Sequence, residues 1–210
     1  MTGPKPYVFD TIGEAKRFAP ATERNRDAIA AILAPLLPDT GTILEIASGT
    51  GEHLVHFASR FRHLMWQPSD YDVIGLASIA AWSAEAALPN ILPPLQIDAS
   101  AAEWPIASAD AILCINMIHI APWAATQGLM AGAARLLQPG GLLYLYGPYR
   151  EASVQTAPSN EEFDVSLKSR NADWGLRLVE DVTSLAKLCG LILEARAEMP
   201  ANNLSLVFRR

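Results

Sequence analysis

The sequence predicts an α/β protein with a mostly parallel sheet, helices on both faces and an antiparallel hairpin at its C-terminal end. Short apolar runs alternate with segments of helical periodicity between residues 42 and 146, which is typical of parallel strands joined by crossover helices. Two further apolar runs, at 191–195 and 204–208, are separated only by a short segment containing Pro200. No helix fits between these two runs, so they should pair antiparallel.

The individual elements follow from the spacing of apolar residues along the chain. Residues 1–19 have no clean period and are predicted to form an N-terminal arm, while residues 20–210 form one domain. Thr22 is a candidate cap for the first helix. Strands are predicted at 42–46, 64–67, 95–97, 109–115 and 142–146, and helices at 52–60, 72–87, from Pro122 onward and at 180–188.

Residues 147–178 break the alternation of strands and helices. This stretch is polar and is predicted to be an irregular insertion in the domain. Irregular segments of such length are usually functional or disordered. Its two aromatic residues, Phe163 and Trp174, favour an ordered lid over disorder, and a dimer contact is the alternative.

The loop A-S-G-T-G at 47–51 joins the first predicted strand of the sheet to the next helix. Small residues allow backbone N–H groups to approach a ligand closely, and the helix start adds a positive dipole end. A tight turn needed only for packing is the alternative. Three positions beyond Gly49, where a dinucleotide fingerprint needs a small residue, the chain has Glu52. Its charge would repel a pyrophosphate, so the loop favours a ligand without phosphates over NAD.

Composition and charge exclude several classes of partner and site. The 210 residues carry a formal net charge of −6 with no basic run, which argues against a nucleic-acid partner. The absence of a signal-type N-terminus and of an apolar run near 18 residues predicts a cytoplasmic protein without membrane contact. Neither Cys114 nor Cys189 has metal-ligand spacing, and His53 and His56 lack a third ligand, so no metal site is predicted. The sequence does not indicate an oligomeric state.

Ligands of open parallel sheets bind beyond the carboxyl ends of the strands. Asp70, about 20 residues past the loop, is placed to accept hydrogen bonds from two ribose hydroxyls. Asp98, at the next strand end, can accept one from an exocyclic amine such as adenine N6. Together with Glu45, these acids suit a cationic ligand without phosphate, and S-adenosylmethionine has both properties. The predicted strand ends carry Glu45, Asp70, Asp98, Asn116 and Tyr146.

At this point the chain resembles a known group of enzymes. The pattern E-x-A-S-G-T-G at 45–51, the later Asp70 and Asp98, and the terminal hairpin are similar to class I S-adenosylmethionine-dependent methyltransferases. Four narrower motifs resemble a family of unknown function within that class: R-F-A-P-A-T-E-R-N-R, W-Q-P-S-D, N-M-I-H-I-A-P-W and W-G-L-R. The resemblance covers nearly the whole chain. It implies a Rossmann-like fold, S-adenosylmethionine as cofactor and methyl transfer as the reaction.

The resemblance also implies roles for individual residues. Glu45 would orient the loop and hold the amino end of the methionine, and Asp70 would take the ribose. Ala47 stands where the class usually has glycine, and if that position needs a positive φ, alanine costs on the order of 1 kcal/mol. The remaining implied cofactor contacts are Gly49 and Gly51 along the methionine, Asp98 and Ala99 at the adenine, and Asn116 and Met117 near the methionine part.

Two residues are candidates for a catalytic role. His119 follows Asn116 by three residues and is placed to take a proton from a nucleophile, or to be a hydrogen-bonded structural histidine. Tyr146 ends the fifth strand of the sheet, where it is placed to shape or deprotonate a substrate or to pack at the edge. Methyl transfer needs a base only if the nucleophile is protonated, and alignment alone supplies roughly 7–11 kcal/mol.

The substrate side is predicted to lie beyond the fourth and fifth strands, with Tyr149, Phe163 and Trp174 as candidate substrate-binding residues. Arg24 and Asn25 begin the first helix, either as capping and surface residues or as residues that reach the site.

The predicted function is S-adenosylmethionine-dependent methyl transfer to an unidentified small molecule or protein side chain. The alternative is a non-catalytic S-adenosylmethionine-binding partner or sensor. A nicotinamide-dependent enzyme is disfavoured by Glu52 and by the terminal hairpin.

Overall fold

The computed structural model describes residues 10–12 and 15–210. It contains a two-stranded and a seven-stranded sheet. The strands are β1 (Asp10–Ile12), β2 (Lys16–Phe18), β3 (Thr42–Ile46), β4 (Met65–Asp70), β5 (Leu95–Gln96), β6 (Ala109–Ile115), β7 (Leu137–Gly147), β8 (Ile192–Met199) and β9 (Asn203–Arg209). The helices are α1 (Pro20–Leu33), α2 (Glu52–Arg60), α3 (Val73–Ala86), α4 (Trp123–Leu136), α5 (Pro158–Arg170) and α6 (Val179–Leu188), with 3₁₀ turns at Met117–His119 and Pro200–Asn202.

The main sheet has the strand order β5-β4-β3-β6-β7-β9-β8. Its first five strands are parallel, and β9 lies antiparallel between β7 and β8. The predicted α/β class, the mostly parallel sheet and the C-terminal antiparallel hairpin are therefore confirmed. Because β3 is the middle one of the five parallel strands, the loop that follows it lies at the middle of their carboxyl edge, where ligands of open sheets bind.

Each face of the main sheet buries its own apolar core. One core packs α1, α2 and α3 against the sheet, with Ile29, Phe57 and Ile79 as buried contributions from these helices. The other packs α4 and α6, with Leu129 and Val182 at its centre. Burial of both faces explains why β6 reads as a continuous apolar run in the sequence.

The predicted boundaries at 42–46, 52–60 and 109–115 are confirmed. Other predicted bounds need correction. The fifth strand begins at Leu137 rather than at residue 142, because Leu137 pairs with Ala109 of β6. The second strand of the main sheet runs to Asp70 rather than residue 67, because the Ser48 N–H donates to the Ser69 carbonyl (2.8 Å) and extends the contact with the β3 loop. Thr22 does not cap α1, because the helix already begins at Pro20, whose fixed φ suits the first helical position.

Part of the predicted N-terminal arm is held on the domain. Residues 1–9, 13 and 14 lie outside the described residues, whereas β1 and β2 form an antiparallel hairpin. The Trp82 indole N–H donates to the Arg17 carbonyl (2.8 Å), and the Arg17 N–H donates to Ser78 Oγ (2.9 Å). Within the predicted N-terminal arm, β2 is therefore tied to α3 by hydrogen bonds.

The segment 147–178 is not irregular throughout, because α5 occupies its middle. Asp164 on α5 is buried and accepts hydrogen bonds from Arg150 Nη2 (3.0 Å), Lys168 Nζ (2.6 Å) and the Leu176 N–H (2.8 Å). Charged contacts rather than an apolar stripe anchor this helix, which is why the periodicity of the sequence did not reveal it. None of the helices in the described part of the chain combines the length and apolar character needed to cross a membrane.

Candidate functional site

The loop after β3 has the backbone of a close-approach ligand site. Ala47, Gly49 and Gly51 all have positive φ, at 56°, 62° and 92°. A Cβ on Gly51 would lie 2.9 Å from Ile79 Cα, so only glycine allows α3 to pack against the loop. Ala47 takes the left-handed conformation without being glycine, and this conformation costs about 1 kcal/mol.

Glu45 is a buried acid directly below this loop. Its backbone carbonyl accepts hydrogen bonds from Ser69 Oγ (2.8 Å) and Ser48 Oγ (3.3 Å), which tie the ends of β3 and β4 together. Its side chain is 2% exposed, and Oε2 has no hydrogen-bond partner. Burial raises the pKa of Glu45 to about 7, against a hydrogen bond from Ser48 and with help from the charge of Asp70. A buried carboxylate oxygen without a partner is costly, and a cationic ligand group would satisfy it.

Asp70 connects the end of β4 to the loop. Its Oδ2 accepts from the Gly49 N–H (2.9 Å) and its Oδ1 from the Asp72 N–H (2.9 Å). Burial raises the pKa of Asp70, although the two backbone hydrogen bonds oppose that rise. A Cβ on Gly75 would lie 2.9 Å from Asp70 Cγ, so Gly75 leaves the room this carboxylate needs.

The Glu52 carboxylate forms hydrogen bonds within the protein. Its carboxylate is buried and accepts from the Ala19 N–H (2.7 Å) and Thr50 Oγ1 (2.9 Å). An anion therefore already occupies the positive end of α2, where a phosphate would otherwise bind.

The end of β5 carries Asp98 and Ala99. Asp98 is exposed, and its Oδ1 accepts from the N–H (2.8 Å) and Oγ (2.6 Å) of Ser100. Ala99 is buried against α4, where a Cβ on Gly128 would lie 2.0 Å from the Ala99 carbonyl oxygen. The close packing at Gly128 fixes the turn that presents Asp98.

The end of β6 turns sharply at Asn116, which has a φ of 63° and donates its N–H to the Tyr146 carbonyl (2.8 Å). Met117 follows it into the 3₁₀ turn and is buried. Arg177 holds this turn from the insertion: its Nε donates to the Ile118 carbonyl (3.0 Å) and its Nη2 to the Ala121 carbonyl (2.7 Å).

His119 is the last residue of this 3₁₀ turn and is 1% exposed, with no partner for either ring nitrogen. Burial lowers its pKa to about 3, with Arg177 adding to the effect. Its ring contacts Tyr149 edge to face at 4.8 Å, and the Tyr149 hydroxyl is also buried without a partner. A Cβ on Gly147 would lie 2.5 Å from His119 Nε2. The imidazole therefore fits only because residue 147 is glycine.

Tyr146 is buried on the opposite face of the sheet. Burial raises its pKa, and the Asn25 side chain opposes that rise. The Asn25 side chain thus acts on the end of β7, whereas the sequence left capping and surface charge as the alternative.

The remaining predicted substrate residues lie on the insertion. Trp174 is buried, and the next residue, Gly175, donates its N–H to the His119 carbonyl (3.0 Å). Phe163 is half-buried on α5 beside the anchored Asp164. The insertion is therefore joined to the carboxyl edge through Gly175 and Arg177.

A cleft lies next to Tyr149. With a volume of about 250 Å³, it separates the segment after β7 from the turn between β8 and β9. Asn160 Nδ2 donates to the Asn202 carbonyl (2.9 Å) across it, and its other lining residues include Tyr149, Arg196 and Leu204.

Sequence reasoning missed the roles of Arg177 and Asp164, because a single charged residue in a polar stretch carries no periodic signal. Cys114 is buried, and burial raises the pKa of its thiol to about 12, as expected for an inert core cysteine. Among residues 10–12 and 15–210, no three His, Cys, Asp or Glu side chains are grouped so that they could hold a metal ion.

Three solved structures show what the fold is similar to. An O-methyltransferase family protein from Burkholderia thailandensis has a TM-score of 0.77 at 15% identity, covering 90% of this chain and 56% of that one. The S-adenosylmethionine-dependent methyltransferase SibL has a TM-score of 0.73 at 16% identity, over 90% and 55%. A proposed sarcosine dimethylglycine methyltransferase from Galdieria sulphuraria has a TM-score of 0.71 at 16% identity, over 90% and 86%.

The chain thus has the Rossmann-like fold of S-adenosylmethionine-dependent methyltransferases, and it spans little more than half the length of the first two proteins. A family model described as "Protein of unknown function (DUF938)" matches residues 16–210. Because this match covers nearly the whole chain, the protein belongs to that family.

Proposed function

We propose that the protein binds S-adenosylmethionine and transfers its methyl group to a small molecule or a protein side chain. The observation that carries this proposal is the unpartnered, buried Oε2 of Glu45 beneath the left-handed loop. Such a carboxylate fits a ligand with an ammonium group and no phosphate. Glu52 supports the same choice, because its charge at the start of α2 disfavours a dinucleotide.

The chain's residues fit the cofactor as follows. Glu45, Ala47, Gly49 and Gly51 would surround the methionine, and Asp70 would accept from the ribose hydroxyls. Asp98 and Ala99 would meet the adenine, and Asn116 and Met117 would lie near the methionine part. The cofactor itself supplies an activated methyl group on a sulfonium. Since Gly49 and Asn116 donate their N–H groups to the Asp70 carboxylate and the Tyr146 carbonyl, the loop and turn are in place before a ligand arrives.

His119 and Tyr146 are the proposed catalytic residues. His119 is neutral at pH 7 and has unpartnered ring nitrogens, so it is suited to orient a polar group of the acceptor rather than to hold a positive charge. Tyr149, Phe163 and Trp174 are proposed to form the substrate side with the rest of 147–178. A closed segment there would exclude water from the reacting centre.

Isothermal titration calorimetry tests the cofactor assignment. We expect S-adenosylmethionine and S-adenosylhomocysteine to bind and NAD to bind more weakly, because the loop disfavours phosphates. Tighter binding of NAD than of S-adenosylmethionine would refute the cofactor assignment. Transfer is tested by incubating the protein with methyl-labelled S-adenosylmethionine and a cell extract, with the Asp70→Ala variant as control. Binding without any labelled product would favour the non-catalytic alternative.

A further inference from the structure

A cavity of about 390 Å³ lies between the start of α4, the segment after β7, α5 and the start of α6. None of its lining residues belongs to the cleft beside Tyr149 or to the proposed cofactor contacts. Its positive side chains are those of Arg150, Lys168 and Arg177, and the acid among the lining residues is the exposed Asp181. The wall that a ligand would meet is therefore positive, although the whole chain carries a net charge of −6.

Backbone hydrogen bonds hold two segments of this wall in register. The Arg150 N–H donates to the Arg177 carbonyl (3.0 Å), and the Val179 N–H donates to the Arg150 carbonyl (2.9 Å). Arg150 and Leu178 thereby form a parallel bridge next to the first turn of α6. The main chain therefore sets the positions of both arginines without any ligand.

Two of the three positive charges are matched within the protein. Arg150 Nη1 donates to Glu161 Oε1 (2.7 Å), and Arg150 Nη2 donates to Asp164 Oδ2 (3.0 Å). Lys168 Nζ donates to the same Asp164 oxygen (2.6 Å). Two cations thus face two anions in one network of ion pairs. This network adds no net charge to the cavity.

Arg177 differs because its charge has no anionic partner. Its Nε and Nη2 donate to three backbone carbonyls, those of Ile118 (3.0 Å), Ala121 (2.7 Å) and Asp173 (2.8 Å). In the part of the chain that the structure describes, no carboxylate forms an ion pair with this guanidinium, and Nη1 has no hydrogen-bond partner. Burial lowers the pKa of Arg177, although Asp164 and Asp173 oppose that effect. A half-buried cation without an anion is costly, and a bound anion would reduce that cost.

Apolar surface lies beside the Arg177 guanidinium. Its carbon atom Cζ lies 5.6 Å from the centre of the Trp123 ring, within the range of a cation–π contact. Leu176 and Leu178 add aliphatic surface to the wall. Small-molecule pockets typically have volumes of roughly 300–1,000 Å³ and mainly apolar walls with few charged groups. The cavity therefore has room for an organic body as well as an anionic group, and an inorganic anion alone would leave the apolar wall uncovered.

We propose that this cavity binds a small organic acid, with its carboxylate on Arg177 Nη1 and its apolar body against Leu176 and Leu178. A single negative charge is expected, because Arg177 is the cation among the described lining residues that lacks a carboxylate partner. Hydrogen bonds between a guanidinium and a carboxylate are charge-assisted and belong to the stronger ones. The acid would share Arg177 with the 3₁₀ turn after β6, next to Asn116 and Met117. The inference does not require the proposed methyl transfer.

Two variants at one lining position test the charge of the ligand. Leu178 is the N-cap residue of α6 and provides no side-chain cap. Aspartate and asparagine are both favoured at N-caps, so we expect Leu178→Asp and Leu178→Asn to fold. The two side chains have nearly the same shape, and only aspartate adds a negative charge beside the proposed carboxylate. Because like charges a few ångströms apart repel, Leu178→Asp should bind an acid at least about tenfold more weakly than Leu178→Asn.

Binding is measured by titrating ¹⁵N-labelled protein at pH 7 with sodium benzoate and with sodium hexanoate. The reporter is the Trp123 indole N–H resonance, assigned with Trp123→Phe. We expect a saturable shift with at least one acid, no shift with benzylamine hydrochloride, and the tenfold difference between the two Leu178 variants. A response to neither acid, a response to benzylamine, or equal affinities in the two variants overturns the proposal. Sodium phosphate that acts at a lower concentration than either acid also overturns it.

Added S-adenosylhomocysteine separates this cavity from the proposed cofactor site. The shift caused by the acid should persist in protein saturated with S-adenosylhomocysteine, because the two sites share no lining residue. Displacement of the acid would place it in the cofactor site and overturn the proposal. If the protein does not bind S-adenosylhomocysteine, the proposed function fails, whereas the comparison of Leu178→Asp with Leu178→Asn still decides whether the cavity binds an acid.

Discussion

Replacing Glu45 with glutamine should stabilise the fold at alkaline pH and remove cofactor binding at the same time. The carboxylate is buried with one oxygen unpartnered, so ionising it in the folded protein costs free energy that a bound ammonium group would return. Glutamine has nearly the same shape and no charge. The variant therefore separates the free-energy cost of the buried charge from its contribution to cofactor binding.

The magnitude follows from the pKa of Glu45, which burial raises from 4.5 to about 7. At about 1.36 kcal/mol for each pKa unit, an ionised Glu45 destabilises the folded state by about 3 kcal/mol. Because the folded pKa is raised, this cost is absent below pH 4.5, grows between pH 4.5 and 7 and is complete above pH 7. A buried glutamine amide without a partner would offset about 1 kcal/mol of this stabilisation. The free energy of unfolding should therefore rise by about 2 kcal/mol at pH 8.

Urea unfolding at pH 5 and pH 8 measures the change in stability, and calorimetry with S-adenosylhomocysteine measures binding. Glu162→Gln, at an exposed position on α5, is the matched control and should alter neither. In the wild type, affinity should rise from pH 5 to pH 8, because the ligand ammonium favours the ionised carboxylate. A Glu45→Gln protein that is less stable at pH 8 and binds normally would refute the reasoning.

Four further predictions concern the rest of the site. Asp70→Ala should weaken S-adenosylhomocysteine binding by about 1.5–3 kcal/mol in calorimetry, the scale for charged hydrogen bonds; unchanged affinity in a folded variant would place the ribose contact elsewhere. Arg177→Lys should lower the free energy of unfolding by about 1–3 kcal/mol, because a lysine cannot bond both carbonyls of the turn and that of Asp173. Gly147→Ala should cost about 1–3 kcal/mol of stability by overpacking against the imidazole, and a neutral effect in urea unfolding would contradict that packing. Hydrogen exchange should show added protection at 147–178 on ligand binding; protection confined to the loop after β3 would contradict a substrate-side role for that segment.

The main sheet was predictable because its strands are buried on both faces and its loops carry small residues at fixed places. Residues 42–46 and 109–115 are apolar runs of strand length, and the two final runs leave no room for a helix. The spacing of apolar residues did not predict the structure where polar contacts determine it. Helix α5 is anchored by Asp164, and β2 is anchored by Trp82 and Ser78, which are distant in the sequence.

The site was predictable in part for the same reason. Glu45, Asp70 and Asp98 stand where apolar runs end, so topology alone brings them to one edge. The sequence did not show whether Ala47 needs a positive φ. The structure shows that it does have one. The bonds of Asn25 and Arg177 join residues that are far apart in the sequence. No local pattern encodes such pairs, because their partners are set by packing.

Because β9 lies between β7 and β8, the sheet cannot be completed in the order in which its strands are synthesised. In the described sheet, β8 pairs with β9 only, so it has no docking edge when it leaves the ribosome. Until β9 follows, the edge of β7 presents unpaired backbone groups flanked by apolar side chains, a known template for aggregation. A nascent chain held between these two strands should therefore be the species that most needs a chaperone.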